Sequence, residues 1–316
     1  MNKSETKGTT LPQGSAEAKP FPCIVTKDQL SYREFSIQPE YVAANRELIN
    51  NFVTKLPENF VHVDIATGTG LIPQLIIEEA TKQNKSGKII GIDPNITSLN
   101  IAKENVWGTD KIKIEFIEGM GQDLKRLLDG KIPPEGVDGA GILDALHEIK
   151  NDEDKIAVIK SMVDILKPEG LLVFNSAFTT QGIAKDPMGW GKWKIKAMEM
   201  FGRKRDKQIK AMPIHTPEEY KQMIENAGLQ VDPNCEIMKT VTLTLTSLEA
   251  ISKYPAFSVG ALEDMPGQEL ISEVDKCNAM IAAVRSLDIK ALPRVWYEII
   301  AKKPATIKSS GTIFGK

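Results

Sequence analysis

The stretch "HVDIATGTGLIP", residues 62–73, is the most informative part of this chain. Val63 and Ile65 belong to a short apolar run that is typical of a buried strand, and two glycines follow within five residues. Glycine weakens strands and helices, but it accepts backbone conformations that a side chain excludes. The stretch therefore predicts a strand that ends in a tight turn, which a ligand can approach closely.

The region around this turn repeats one pattern. From residue 57 to residue 178, short apolar runs alternate with amphipathic stretches of helical periodicity. Such alternation predicts parallel strands joined by right-handed helical crossovers. We therefore predict an α/β fold, a Rossmann-like doubly wound and mostly parallel seven-stranded sheet with helical additions. Ligands of such sheets bind beyond the carboxyl ends of the strands.

Composition changes along the 316 residues suggest how the chain is organised. Residues 1–22 are polar and rich in Gly, Ser, Thr and Pro, which predicts a flexible N-terminal tail. Residues 23–56 form an N-terminal helical segment in this interpretation, with a continuous helical pattern from Lys27. The main domain then covers residues 57–316. Its C-terminal part carries two inserts with a different pattern, at about 179–212 and 248–292.

The overall composition excludes several classes of protein. The chain is 41% hydrophobic and 26% charged, with a formal net charge of -2, which argues against a dedicated nucleic-acid binder. Three cysteines lie far apart, and neither Cys/His metal spacing nor an acidic triplet occurs, so we expect no metal site. No apolar run is long enough to span a bilayer, and the N-terminus lacks a signal-peptide pattern. We expect a cytoplasmic protein without an integral membrane segment.

Two acidic residues indicate what the glycine turn binds. Asp93 in "IIGIDPN" ends the next predicted strand, where a carboxylate can accept hydrogen bonds from a ribose diol. The dinucleotide pattern G-x-G-x-x-G would need a third glycine, but Leu71 and Pro73 occupy the two possible positions. Asp64, just before the turn, suits a cationic or amino-bearing ligand better than a pyrophosphate. A nicotinamide cofactor is therefore the less favoured alternative.

Five segments in this order resemble a known family. They are "VDIATGTG", "GIDP", "FIEGMGQDL", "VDGAGILDALHEI" and "LKPEGLLVF". They are similar to the motifs of class I S-adenosylmethionine-dependent methyltransferases of the small-molecule type, and the similarity covers residues 57–235 plus the last strand. The resemblance implies that residues 57–316 are a class I methyltransferase domain, that the protein is a transferase, and that its cofactor is S-adenosyl-L-methionine.

The resemblance also implies which residues bind the cofactor. They follow the first four strands, and they are Asp64, Ala66, Thr67, Gly68, Gly70, Asp93, Pro94, Met120, Gly121, Gln122 and Leu143. Met120 and Gly121 would flank the adenine. Family members often have an aspartate at the position of Met120, so Gln122 or Asp123 is expected to replace its contact with the adenine amino group.

The predicted catalytic residues follow the fourth strand, in "LDALHEI". His147 is our candidate general base, because an imidazole titrates near neutral pH and the family often carries a histidine here. Asp144 is the competing polar group, and His147 has an alternative structural role as a cap of the next helix. In either case the methyl group is transferred by direct displacement, which depends mainly on alignment of the two reactants.

The acceptor is expected to be a small molecule, either a metabolite or a natural product. "LDALHEI" differs from the Asn/Asp-Pro-Pro-aromatic sequence that holds exocyclic amino groups of bases or glutamine, which argues against methylation of DNA or of protein amides, and we expect no nucleic-acid partner. Trp190 and Trp193 are the predicted substrate-binding residues. A basic cluster at 192–210 surrounds them, and it has three interpretations: a rim for a carboxylated or phosphorylated substrate, a membrane-surface patch, or a solvated helix face.

The second insert and the alternatives complete the sequence-based hypotheses. We expect residues 248–292 to form a helical cap over the substrate cavity or a dimer surface, so a homodimer is a possible assembly. The alternative functions are a non-catalytic regulatory or scaffold protein that binds the same cofactor, and a nicotinamide-dependent oxidoreductase.

Overall fold

A computed structural model describes residues 21–305 of the chain. The predicted tail, residues 1–22, lies outside the described residues except for Phe21 and Pro22. The described residues form eleven α-helices and one sheet of seven strands. The strands are β1 (Asn59–Ile65), β2 (Ser86–Asp93), β3 (Ile112–Glu118), β4 (Val137–Leu143), β5 (Leu166–Ser176), β6 (Gln230–Thr244) and β7 (Ala291–Lys302).

The sheet has the strand order β3-β2-β1-β4-β5-β7-β6. The pairings among the first five strands are parallel, and β7 runs antiparallel to both β5 and β6. The predicted Rossmann-like, mostly parallel seven-stranded sheet is confirmed. The order reverses between β1 and β4, and this reversal opens a crevice at their carboxyl ends, where doubly wound sheets bind ligands.

Helices cover both faces of the sheet and add a layer beyond its carboxyl edge. They are α1 (Arg33–Ser36), α2 (Pro39–Lys55), α3 (Leu71–Lys82), α4 (Ile96–Asn105), α5 (Leu124–Leu127), α6 (Asp152–Ile165), α7 (Pro187–Glu199), α8 (Pro217–Asn226), α9 (Leu245–Ser252), α10 (Pro255–Ala261) and α11 (Glu273–Ser286).

Successive strand residues pack on opposite faces. Phe174 of β5 belongs to the apolar cluster with α6 and α8, whereas its neighbour Val173 belongs to the cluster with α2 and α3. This alternation is the period-two geometry of a strand, and it explains why the central strands are apolar on both sides.

The N-terminal segment differs from the continuous helical pattern predicted from Lys27. A 3₁₀ turn at Lys27–Gln29 and the short helix α1 come first, and the long helix α2 begins only at Pro39. Proline lacks the N–H that a helix interior requires, but it suits the first helical position, where that N–H has no partner. Pro39 therefore sets the start of α2.

The two inserts lie together. The first contributes α7, and the second contains α10, α11 and most of α9. Their apolar side chains share one cluster, in which Trp193 of α7 and Met280 of α11 are almost fully buried. None of the helices in residues 21–305 combines the length and apolar character needed to cross a membrane.

The start of α8 confirms a local prediction. Thr216 and Glu219 have the sequence pattern of a capping box. The Thr216 hydroxyl accepts a hydrogen bond from the Glu219 N–H at 3.1 Å, and Glu219 Oε2 accepts one from the Thr216 N–H at 2.7 Å.

Helix α2 supplies a test of the core. Ile49 is completely buried between α2 and the sheet, whereas Ile37 is 53% exposed. Ile49→Ala should lower the free energy of unfolding by about 2–5 kcal/mol, because the truncation leaves a cavity in close-packed surroundings. The same truncation at Ile37 should change it by less than about 0.5 kcal/mol. Urea denaturation of both variants measures the difference, and equal losses would contradict this packing.

Candidate functional site

The turn between β1 and α3 has a left-handed backbone at three positions. Ala66, Gly68 and Gly70 have φ angles of 55°, 54° and 89°. A Cβ atom on Gly70 would lie 2.6 Å from Cγ2 of Val106, so only glycine fits there. A Cβ on Gly68 would have its nearest neighbour at 4.0 Å. The backbone at Gly68 is therefore open to close approach by a ligand, while Gly70 is packed against α4.

Asp93, at the end of β2, holds this turn in place. Its Oδ2 accepts a hydrogen bond from the Gly68 N–H, and its Oδ1 accepts one from the Asn95 N–H, both at 2.8 Å. The side chain is almost buried, and burial raises its pKa, although these two bonds oppose the effect. Each carboxylate oxygen has a second lone-pair direction, which is where the hydroxyls of a ribose diol would bind.

Asp64 is a buried carboxyl group that lacks part of its hydrogen bonding. Its Oδ2 has no partner among the described residues. Burial raises the pKa of Asp64 to about 7, with the charge of Asp93 acting in the same direction and the Thr67 hydroxyl opposing it. An orphaned buried acceptor of this kind fits an ammonium donor, such as the amino group of the methionine part of S-adenosylmethionine.

The residues after β3 suit the other end of the same cofactor. Met120 is half exposed, and Gly121 begins a 3₁₀ turn that contains Gln122. The Gln122 Oε1 is buried and has no partner among the described residues. This acceptor could receive the adenine amino group, as expected when Met120 replaces the usual aspartate. Pro94, which follows Asp93, lies exposed beside the turn.

The end of β4 has strained backbone and a second perturbed carboxyl group. Leu143 is buried, and Asp144 has a φ of 49°, which is unusual for a residue with a side chain. Asp144 Oδ1 accepts a hydrogen bond from the Ala177 N–H at 2.9 Å. Burial raises the pKa of Asp144 to about 7, while this bond and the positive charge of Arg294 act against the rise.

His147 stacks on an aromatic ring. The imidazole lies parallel to the Phe178 ring, with 3.9 Å between the ring centres. Its Nδ1 is buried without a hydrogen-bond partner in the described part of the chain. The pKa of His147 is lowered to about 3, mainly by burial and also by the positive charges of Arg294 and Lys155. The imidazole is therefore neutral at physiological pH.

A cavity of about 560 Å³ lies beyond the ends of β4 and β5. Asp144 and His147 line one side, and the two inserts line the other. Its walls include six aromatic residues, which are Tyr32, Phe178, Trp190, Trp193, Tyr254 and Phe257. A cavity of this size accommodates a drug-sized small molecule.

The two tryptophans are fixed parts of this wall. The Trp190 indole donates a hydrogen bond to the Pro293 carbonyl, and the Trp193 indole donates one to the Met280 carbonyl, both at 2.8 Å. Trp193 is almost fully buried, so only a small part of its surface is exposed to the cavity. Both residues line the cavity with their apolar surfaces, because their polar atoms are already bonded.

Three polar residues of the cavity were missed by our sequence interpretation. Glu148 follows His147, and both of its carboxylate oxygens lie 2.9 Å from the hydroxyl of Tyr254, on the second insert. Glu148 lines the cavity. Desolvation by the surrounding protein raises its pKa to about 7, and the charges of Asp144 and Asp93 act in the same direction. The other two missed residues are Tyr254 itself and Arg294, which lies in β7. No sequence motif links these distant positions.

The basic cluster at 192–210 is partly neutralised. Lys194 and Arg205 line the cavity, but both pair with the buried carboxylate of Asp264, at 2.8 and 2.6 Å. A basic rim that selects an anionic substrate was one interpretation of the sequence. These two cations instead join α7 and the following loop to the second insert.

The fold, the glycine turn and the orphaned acceptors around it define a class I S-adenosylmethionine-dependent methyltransferase. The family model described as the ubiE/COQ5 methyltransferase family matches residues 41–233, which is more than half of the chain. The chain therefore belongs to the ubiE/COQ5 methyltransferase family, and its cofactor is S-adenosylmethionine.

The chain is also similar to individual proteins. The chain is 25% identical over 207 residues to "Putative methyltransferase YqeM" of Bacillus subtilis (strain 168), covering 56% of this chain and 76% of the relative. The crystal structure of the YcgJ protein from Bacillus subtilis shares its fold, with a TM-score of 0.52 and 12% identity over 84% of this chain and all of the other. A crystal structure of "a putative methyltransferase" from Bacillus halodurans C-125 has a TM-score of 0.51 and 13% identity, over 83% and 100% of the two chains.

Asp93 offers a test of the cofactor site. Asp93→Ala should weaken binding of S-adenosylhomocysteine by about 1–3 kcal/mol, because it removes the ribose acceptor and releases the Gly68 N–H. The matched variant Asp110→Ala changes an exposed aspartate beyond α4 and should bind like the wild type. Titration calorimetry compares the three proteins. Wild-type affinity in Asp93→Ala would show that the diol is bound elsewhere.

Proposed function

We propose that this protein transfers the methyl group of S-adenosylmethionine to a small molecule bound in the 560 Å³ cavity. The observation that carries the proposal is the position of the cavity: Asp144 directly follows β4, beside the expected cofactor site, and also lines the cavity. The charge of Asp93 also contributes to the raised pKa of both Glu148 and Tyr254, which line the cavity. An acceptor in the cavity would thus lie directly beside the cofactor.

The cavity walls support methyl transfer by direct displacement. S-adenosylmethionine supplies an electrophilic methyl group when it is bound. The chain's part is to align the acceptor atom with that group and to exclude water, and rigid aromatic walls are suited to both tasks. The hydrogen bond between Tyr254 and Glu148 joins the second insert to the loop after β4 at the rim of this space. Trp190 and Trp193, in this proposal, contact the apolar body of the acceptor.

The acceptor must lose a proton during or after the transfer, and we propose that a carboxylate takes it. The bond from the acceptor atom to the methyl carbon forms, the acceptor proton moves to the carboxylate, and the electron pair of the broken C–S bond stays on sulfur. A base works best when its pKa lies near the operating pH. Asp144 and Glu148, with pKa values of about 7, meet this condition.

His147, our first candidate for this base, is the less suitable group. Its neutral imidazole can accept a proton, but a pKa of about 3 makes it a weak base. We propose instead that His147 positions the acceptor through its stacked contact with Phe178 and its place in the cavity wall. Glu148 has the more open carboxylate, so it is the preferred proton acceptor.

The methyl-transfer activity can be tested before the acceptor is identified. The protein is incubated with S-adenosylmethionine labelled in the methyl group and with a fractionated metabolite extract. We expect the label to appear in a small organic product. Cofactor binding without any labelled product, macromolecular or small, would favour the non-catalytic alternative, whereas label in protein or nucleic acid would overturn the choice of acceptor.

The pH dependence distinguishes the candidate bases. With Glu148 as the base, kcat/KM should rise with pH through about 7, because only the deprotonated carboxylate can accept the proton. Glu148→Gln should lower turnover roughly 10²–10⁴-fold. His147→Gln should keep the inflection near pH 7.

The control for this series is Glu153→Gln, which changes an exposed glutamate of α6 and should match the wild type. A wild-type profile that is flat between pH 5 and 8, together with a large loss in His147→Gln, would return the role of base to His147.

A further inference from the structure

Arg294 is a buried cation in the wall of the cavity. It lies on β7 and is only 8% exposed. Its Nε donates a hydrogen bond to the Ala177 carbonyl at 2.7 Å. Its guanidinium carbon lies 4.7 Å from the ring centre of Phe178 and 4.9 Å from that of Trp190. The group is therefore held in one orientation by a hydrogen bond and two aromatic rings.

The charge of Arg294 lacks a direct partner in the described part of the chain. Among residues 21–305, no carboxylate forms an ion pair with the guanidinium, and its two Nη groups make no hydrogen bond to the protein. Asp144 attracts it from a greater distance. Burial lowers the pKa of Arg294 to about 10, which still leaves it protonated at neutral pH.

The other cations of the cavity differ in this respect. Lys194 and Arg205 each have a direct ion-pair partner, because both contact the one carboxylate of Asp264. An unpaired buried charge is costly, and a ligand that completes its hydrogen bonding is bound strongly for that reason. Among these three cations, Arg294 is thus the one at which a bound anion would gain the most binding free energy.

We propose that Arg294 binds a carboxylate group of the acceptor, so that the substrate is an apolar small molecule with one acidic end. A planar guanidinium with two free Nη groups matches the two oxygens of a carboxylate. The aromatic walls suit the apolar remainder. This inference rests on the proposed function, because it assumes that the cavity receives the acceptor.

Three carboxyl groups also line the cavity, and each is already engaged. Asp144 accepts the Ala177 N–H, Glu148 accepts the Tyr254 hydroxyl, and Glu263 accepts the Met212 N–H. Asp144 and Glu148 also have pKa values of about 7, so each carries only a partial charge at neutral pH. Their repulsion of an incoming carboxylate is reduced accordingly.

The test compares two probes that differ only in charge. The full chain, saturated with S-adenosylhomocysteine, is titrated with 2-naphthoate and with the neutral 2-naphthamide at pH 7. We expect the carboxylate to bind about tenfold more tightly, or better, because a charged hydrogen-bonded pair replaces a neutral one. Arg294→Met should remove this preference and leave the affinity for the amide near the wild-type value.

Two further variants make the result specific. Arg205→Met removes an arginine from the same cavity that is already paired, so the preference should remain. Arg294→Lys keeps the positive charge but loses the two parallel Nη donors of the guanidinium, so a reduced preference for the carboxylate should remain. Melting temperatures with and without S-adenosylhomocysteine confirm that each variant is folded and cofactor-bound.

Equal affinities of the two probes for the wild type would overturn the proposal, even if Arg294→Met failed to fold. A preference that persists in Arg294→Met, or that disappears in Arg205→Met, would overturn it as well. Failure of the proposed function is separately visible, since the labelled-methyl assay would then give no small product while the carboxylate preference is still measurable.

Discussion

The structure depends on one position, Gly70 in the turn after β1, that has no room for a side chain. Gly70 is so close to Val106 and Ala102, at the end of α4, that a single Cβ would force this helix away. Helix α4 follows Asp93, and Asp93 in turn holds the N–H of Gly68. The close packing of one glycine thus holds the turn against α4, the helix that follows the aspartate.

The two halves of the site are built in different ways. The cofactor half consists of local features, in which each polar group lies at the carboxyl end of a strand or just after it. The acceptor half joins elements that are far apart in the chain, as in the contacts of Tyr254 with Glu148 and of Arg294 with Ala177. A change in the inserts can therefore alter the acceptor cavity without disturbing the turn at Gly68, which is how one fold supports many substrates.

The same difference explains what the sequence could and could not predict. The strand–helix alternation, the glycine turn and the capping box at Thr216 are local patterns, and the structure contains all three. Arg294 is one basic residue in an apolar strand, and only the folded sheet brings it to the cavity. The pairing of Lys194 and Arg205 with Asp264 could not be predicted either, because this carboxylate lies about 60 to 70 residues further along the chain. Pro39 was a local signal that could have corrected the start of α2.

The position of β7 has a consequence for synthesis of the protein. This strand follows all the others in the chain, yet it lies between β5 and β6. During translation, β5 keeps an unpaired edge until β7 leaves the ribosome, and such an edge is open to pairing with other chains. The parallel strands β1 to β5 can associate earlier, so we expect a nascent chain to form its nucleotide-binding crevice before its substrate chamber. In that order of assembly, the guanidinium on β7 is among the last groups to be placed.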